Sequence, residues 1–214
     1  MSDNTLIHGR AAVLPLTNLD TDQIMPKQFL RGIDKAGLAQ GLLYDLRFDG
    51  AGQPRADFVL NQSAHAGTNV LIAGPNFGCG SSREHAVWGL QQFGIQAVVA
   101  SSFGEIFYSN AMNNRLLLVV LREHEVQALM REAEAAGGPL AVEIDVAGLC
   151  VRSAGLQAPF TLSARHHHMA LKGLDVIGAS LAYQAQISRF AEQHWAAQPW
   201  LRDVARITRA RLDA

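Results

Sequence analysis

Short, wholly apolar runs alternate along the chain with longer segments of helical character. Val70-Leu71-Ile72-Ala73, Ala97-Val98-Val99-Ala100 and residues 116–121 are apolar runs of strand length. Residues 86–93 and 103–112, between them, read as helices. Strands that are apolar throughout, rather than alternating, predict a sheet covered on both faces, and the interposed helices supply the cover. A first strand is predicted over residues 9–16 and a short one over 57–61. An acidic, alanine-rich helix follows over 123–136, ended by Gly137-Gly138-Pro139. Two alternating runs, 140–146 and 149–153, are separated by Ala147-Gly148 and predict a hairpin. Residues 160–162 predict another short strand, 164–172 a helix, and about 184–213 a helical tail with arginines at 202, 206, 209 and 211. There is no internal repeat and no low-complexity segment.

Two stretches lack this period. Residues 18–26, Asn-Leu-Asp-Thr-Asp-Gln-Ile-Met-Pro, are dense in turn and capping residues, which predicts loop with short helical pieces. Residues 28–56 continue with glycine and charge and little pattern. A connection that long without structure of its own is usually functional or a lid. The length of 214 residues suits one domain with an appended tail, here divided as residues 1–200 and a C-terminal helical extension over 201–214.

Charge and cysteine content exclude several functions. The net charge of −1 offers no broad basic field for nucleic acid. Only 17% of residues are charged, against roughly 25% in an average globular protein, which leaves apolar surface for a partner subunit to cover. Cys79 and Cys150 are too few for a disulfide framework, and too few to hold an iron–sulfur cluster or structural zinc alone. The N-terminus lacks a basic-then-apolar leader pattern, and no apolar run reaches the roughly 18 residues of a membrane span. A cytoplasmic protein is expected.

The chemistry concentrates in Asn76-Phe77-Gly78-Cys79-Gly80-Ser81-Ser82-Arg83-Glu84-His85-Ala86. An apolar strand empties here into a glycine-rich turn that opens a helix, so backbone N–H groups and the positive end of the helix dipole face one spot. Ser81 and Ser82 are both good N-caps, and Glu84 could close a capping box from Ser81. Arg83 gains nothing from a helix start, where cations are disfavoured, so a bound anion or a buried acidic partner explains it best. The spacing is not a hydrolase elbow, a phosphate loop or a dinucleotide fingerprint. Cys79 reads as a small residue filling a tight turn rather than a nucleophile. His166-His167-His168 on a helix point in three directions and cannot share one ion well. Asp20-Thr21-Asp22 lacks the rest of a calcium loop and reads as a capped turn.

The 76–86 string resembles the signature of the small subunits of 3-isopropylmalate dehydratase, in the aconitase superfamily. Residues 19–30, Leu-Asp-Thr-Asp-Gln-Ile-Met-Pro-Lys-Gln-Phe-Leu, resemble that family's other signature. Residues 57–61, 102–110, 113–117 and 173–178 fit as well, and the resemblance spans roughly residues 6–200. It implies an α/β fold, a β/β/α swivelling-domain barrel of the aconitase C-terminal type, with central, mostly parallel buried strands and flanking helices. It also implies leucine-biosynthetic chemistry: 2-isopropylmalate loses water to isopropylmaleate and regains it as 3-isopropylmalate. In the superfamily a [4Fe–4S] cluster binds the leaving hydroxyl as a Lewis acid. Its cysteines lie in the large subunit, so the expected partner is that subunit and this chain holds no metal. Ser81 would be the base that takes the proton from carbon, and Arg83 would pair with a substrate carboxylate through its planar fork. Ser82 would bind substrate or cap the helix. His85 would orient the site or face the partner. Phe29, Leu30 and Arg31 begin the loop expected to discriminate between alkyl groups. Residues 164–169 and the arginine-bearing tail depart from the pattern. Two other readings are a related hydro-lyase subunit acting on citraconate or a methylated maleate, and a non-catalytic anion-binding module.

Overall fold

The computed structural model describes residues 5–30 and 36–213. The chain divides into two compact units, one running to Asp175 and the other beginning at Val176. The boundary expected between residues 200 and 201 falls inside the second unit.

The first unit is built on one seven-stranded sheet. The strands are β1 (Leu6–Leu14), β2 (Val70–Ala73), β3 (Ala97–Ala100), β4 (Leu117–Val120), β5 (Leu140–Asp145), β6 (Cys150–Arg152) and β7 (Gln157–Pro159). Their order is β4-β3-β2-β1-β5-β6-β7. The first four run parallel, with Ala11 opposite Val70, Val70 opposite Ala97, and Ala97 opposite Leu117. The β5–β6–β7 half is antiparallel and joins β1 through Leu6 opposite Asp145. This is the expected mixed α/β arrangement, with mostly parallel central strands. Every residue of β2 and β3 is buried, which explains why those strands carry no polar alternation.

Helices fill the connections: α1 (Thr21–Ile24), α2 (Leu38–Gly41) and α3 (Tyr44–Arg47) before β2, then α4 (Glu84–Phe93), α5 (Glu105–Asn113), α6 (Glu123–Ala136) and α7 (Ala164–Lys172). α6 packs on β1, β2, β3 and β5 and ends at Gly137, in the left-handed conformation. β5 and β6 form the expected hairpin.

Three strands differ from expectation. β1 spans Leu6–Leu14, because pairing with β5 reaches back to Leu6 and Pro15 has no N–H to continue the ladder. Residues 57–61 are no strand: Val59–Asn61 is a 3-10 turn, and Asn61 Nδ2 donates to the Arg47 and Arg55 carbonyls instead of a sheet partner. The strand expected at 160–162 lies at Gln157–Pro159, since Cys150 pairs with Pro159 and Arg152 with Gln157.

The second unit is wholly helical, with α8 (Val176–Leu181), α9 (Gln184–Ala197) and α10 (Val204–Leu212). A 3-10 turn at Pro199–Leu201 and Asp203, at φ 59°, interrupt its helices. Among the described residues no helix is long and apolar enough to cross a membrane.

Candidate active site

The residues 74–83 leave the C-terminal end of β2 and are held on two sides. On one side the segment after β1 contributes Asn18 N to Pro75 O (3.0 Å), Gly78 N to Leu19 O (2.7 Å) and Thr21 N to Cys79 O (2.9 Å). On the other, the segment after β3 ties Phe77 N to Ser102 O and Gly104 N to Phe77 O. The turn thus sits where three parallel strands end, the usual ligand edge of such a sheet. Asn76, Gly78 and Gly80 all have positive φ (58°, 74° and 92°). At Gly78 a glycine is required twice over, by this φ and by Phe107, whose ring carbon would stand 2.3 Å from an added Cβ. Phe77 is fully buried and meets Phe107 edge-on at 5.5 Å, so the turn is pinned into the core.

The N-cap of α4 is Arg83, and among the described residues no side chain caps the helix. Neither Ser81 nor Ser82 performs the duty their types suggest, and no capping box links Ser81 to Glu84. The Glu84 carboxylate instead accepts from Asn114 Nδ2. The first-turn amides of α4 therefore face the turn without a side-chain acceptor, with the positive end of the helix dipole behind them.

Ser81 Oγ is 3.2 Å from Thr21 Oγ1 and donates weakly to Asp22 Oδ1 at 3.4 Å; Thr21 Oγ1 also donates to Ser81 O at 2.9 Å. Arg83 Nη1 lies 2.6 Å from the same Asp22 oxygen. Its N–H bonds are not aimed at that oxygen, so the contact is one of charge without a directed hydrogen bond, and the nitrogen is buried. The acidic partner sought for Arg83 is Asp22, exposed rather than buried. Ser82 is exposed, and no hydrogen bond joins its hydroxyl to the described residues.

The other candidates separate. Cys79 Sγ points at the carbonyl of Asn18, 3.4 Å away. His85 packs on Trp88 at 4.8 Å. His166 approaches the ring of Tyr108 at 5.8 Å, while His167 Nε2 meets the Val146 carbonyl at 2.8 Å, so the histidines diverge. Burial lowers the proton affinity of His166, and Arg165 acts in the same direction. The described residues of the connection over 28–56 hold α2, α3 and part of a 3-10 turn at Lys27–Phe29, structure that their sequence does not announce. Phe29 turns inward against Tyr44 (5.1 Å), and Leu30 packs partly on the core. Arg31 lies outside the described residues.

Asp22 and Thr21 were missed as site residues. Asp20 caps α1 in a capping box with Gln23, so the reading of a capped turn holds for Asp20 but hides its neighbours.

The residues present do not fit an iron–sulfur cluster. Cys150 is buried on β6 with its thiol toward the Val151 carbonyl, and Cys79 faces Asn18. Among the described residues no three His, Cys, Asp or Glu side chains converge as metal ligands.

Residues 4–124 match the family model of the aconitase C-terminal domain. The chain is 61% identical over 212 residues to 3-isopropylmalate dehydratase small subunit 1 of Chromobacterium violaceum, covering 99% of this chain and all of that one. It is 49% identical to the 3-isopropylmalate dehydratase small subunit of Phenylobacterium zucineum, over 92% of this chain and 97% of that one. A solved structure of 3-isopropylmalate dehydratase from Methanocaldococcus jannaschii superposes with a TM-score of 0.62 at 27% identity, covering 86% of this chain and 98% of that one.

Proposed function

We propose that this chain, which belongs to the family of 3-isopropylmalate dehydratase small subunits, works as the small subunit of that hydro-lyase in the cytoplasm. It interconverts 2-isopropylmalate and 3-isopropylmalate through isopropylmaleate, and it is active only with a large subunit. The [4Fe–4S] cluster belongs to that partner in this reading, in keeping with only two cysteines, whose thiols meet the Asn18 and Val151 carbonyls.

This chain's own part is proton transfer and anchoring. Ser81 Oγ takes the proton from the substrate carbon, and Arg83 holds a substrate carboxylate. A serine hydroxyl is a poor base at neutral pH, so its alkoxide needs fixed donors and positive charge close by. The uncapped amides of α4 and the Arg83 guanidinium are such groups. Ser82 offers its hydroxyl as a hydrogen-bond partner to the substrate, and Leu30 and Arg31 shape the contact with its alkyl group.

One observation supports this reading above the rest. A single carboxylate oxygen, Asp22 Oδ1, is within 3.4 Å of Ser81 Oγ and 2.6 Å of Arg83 Nη1. A substrate anchored by its carboxylate at Arg83 therefore has its neighbouring carbon within reach of Ser81.

The test is Ser81→Ala in the enzyme reconstituted with its large subunit. Turnover should fall by at least ~100-fold, the scale of a lost general base, while assembly on gel filtration is unchanged. Normal turnover would remove Ser81 from this role. A panel of isopropylmalate, citraconate and dimethylmaleate on the same preparation identifies the substrate, since one methylene shifts discrimination by only about 1–3 kcal/mol.

A further inference from the structure

The turn bearing Ser81 and Arg83 opens α4, yet among the described residues no side chain caps that helix. Its position is set from elsewhere. Asn114, the C-cap of α5, accepts from Trp88 Nε1 at 3.0 Å through its Oδ1. Its Nδ2 donates to Glu84 Oε1 and, at 2.9 Å, to the Asn110 carbonyl. Its own carbonyl accepts from Gln91 Nε2. Residues 84, 88 and 91 lie on one face of α4, so this one residue grips three successive turns of the helix. Both protons of the amide and its oxygen are used, which only asparagine can supply at this size.

The other end of α5 touches the reactive turn itself. A Cβ on Gly104 would stand 2.5 Å from the Gly78 carbonyl oxygen. α5 therefore works as a strut: its N-terminal end abuts the turn at Gly78 and its C-terminal end holds α4. The two together fix both the entry and the exit of the segment carrying Ser81 and Arg83.

We propose that Asn114 is a positioning residue for the reaction, setting the height and rotation of α4 and so the reach of Arg83 relative to Ser81. The inference rests on the roles given above to Ser81 and Arg83. Asn114→Asp keeps the size and the acceptor for Trp88, but removes both donors and sets a carboxylate against Glu84. In the reconstituted enzyme, saturated with large subunit, kcat should fall on the order of 10- to 100-fold, the cost of a reacting group misplaced by a fraction of an ångström to an ångström. KM should move less than kcat. Glu84→Gln together with Asn114→Asp again sets a donor against an acceptor, with the direction reversed, and should recover most of the lost kcat.

Melting curves of each variant accompany the kinetics. A lowered melting temperature with wild-type kcat in Asn114→Asp would make the residue merely structural and overturn the proposal. A double variant no better than Asn114→Asp would overturn it too. Should Asn114→Asp fail to fold, Trp88→Phe removes the donor to Asn114 Oδ1 and leaves the Glu84 and Gln91 ties in place: a several-fold loss of kcat supports the proposal and a wild-type kcat overturns it. Ser81→Ala in the same preparation separates the two readings. If it turns over normally, the active-site assignment fails; if it is inactive while Asn114→Asp is normal, only the positioning role fails.

Discussion

Gly78→Ala tests whether the geometry of the turn is as tightly set as the structure implies. Two independent costs act at this position. The backbone sits at φ +74°, where an L-residue pays about 1–2 kcal/mol. An added Cβ would also stand 2.3, 2.5 and 2.8 Å from three carbons of Phe107. That ring is 2% exposed and packed on the fully buried Phe77, so it has no room to retreat. Overpacking of this kind costs typically about 1–3 kcal/mol. The sum is about 2–5 kcal/mol, a large share of a domain's usual ~5–15 kcal/mol. Gly137→Ala serves as the control, because Gly137 has a similar φ of +64° but nothing within 4 Å of an added Cβ. It carries the backbone cost alone. Urea denaturation followed by circular dichroism on both variants, with unchanged m-values, yields the two costs separately. Gly78→Ala should lose at least ~1 kcal/mol more than Gly137→Ala, and its melting temperature should fall by several degrees. Equal losses in the two variants would refute the claim that Phe107 confines the turn.

Two further outcomes are expected. Asp22→Asn should leave stability within ~1 kcal/mol, because its pair with Arg83 is largely exposed on the Asp22 side; it should lower kcat of the assembled enzyme about tenfold by releasing Arg83 and Ser81 from their common anchor, and steady-state kinetics that match the wild type would show the anchor to be idle. Glu125 lies buried in the first turn of α6 with its carboxylate held below the usual range, first by the hydrogen bond from the Arg122 side chain, against an opposing cost of burial. A depressed carboxylate pKa contributes stability that is complete above the unfolded value of about 4.3 and is lost as pH falls through the folded value. Glu125→Gln should therefore flatten the acid side of the stability–pH curve without changing its slope above neutrality, and a wild-type acid slope would contradict this.

The features legible in the chain are those written in adjacent residues. The apolar runs that became β2, β3 and β4 needed no partner to be recognised, because a strand covered on both faces is apolar at every position. The stop of α6 at Gly137 was likewise local, and the hairpin of β5 and β6 nearly so. Ser81 and Arg83 could be paired from sequence because one turn carries both.

What failed was whatever depended on a partner far along the chain. Residues 57–61 have strand-like composition but no ladder beside them, and Asn61 is claimed by Arg47 and Arg55. The last strand shifted three residues because its pairing with Cys150 and Arg152, not its own apolarity, sets the register. Ser81 and Ser82 have the right types to cap α4, but the turn, with Gly78 and Gly80 at positive φ, leaves them short of the helix start, and Arg83 takes the N-cap position. The sequence by itself determined the sheet's buried strands and singled out the short string proposed to carry the chemistry. Only the tertiary structure decided that Asp22 would meet Ser81 and Arg83 and that Asn114 would hold α4. Both are contacts between side chains distant in sequence, whose meeting depends on how the crossovers between parallel strands bring separate segments to one place.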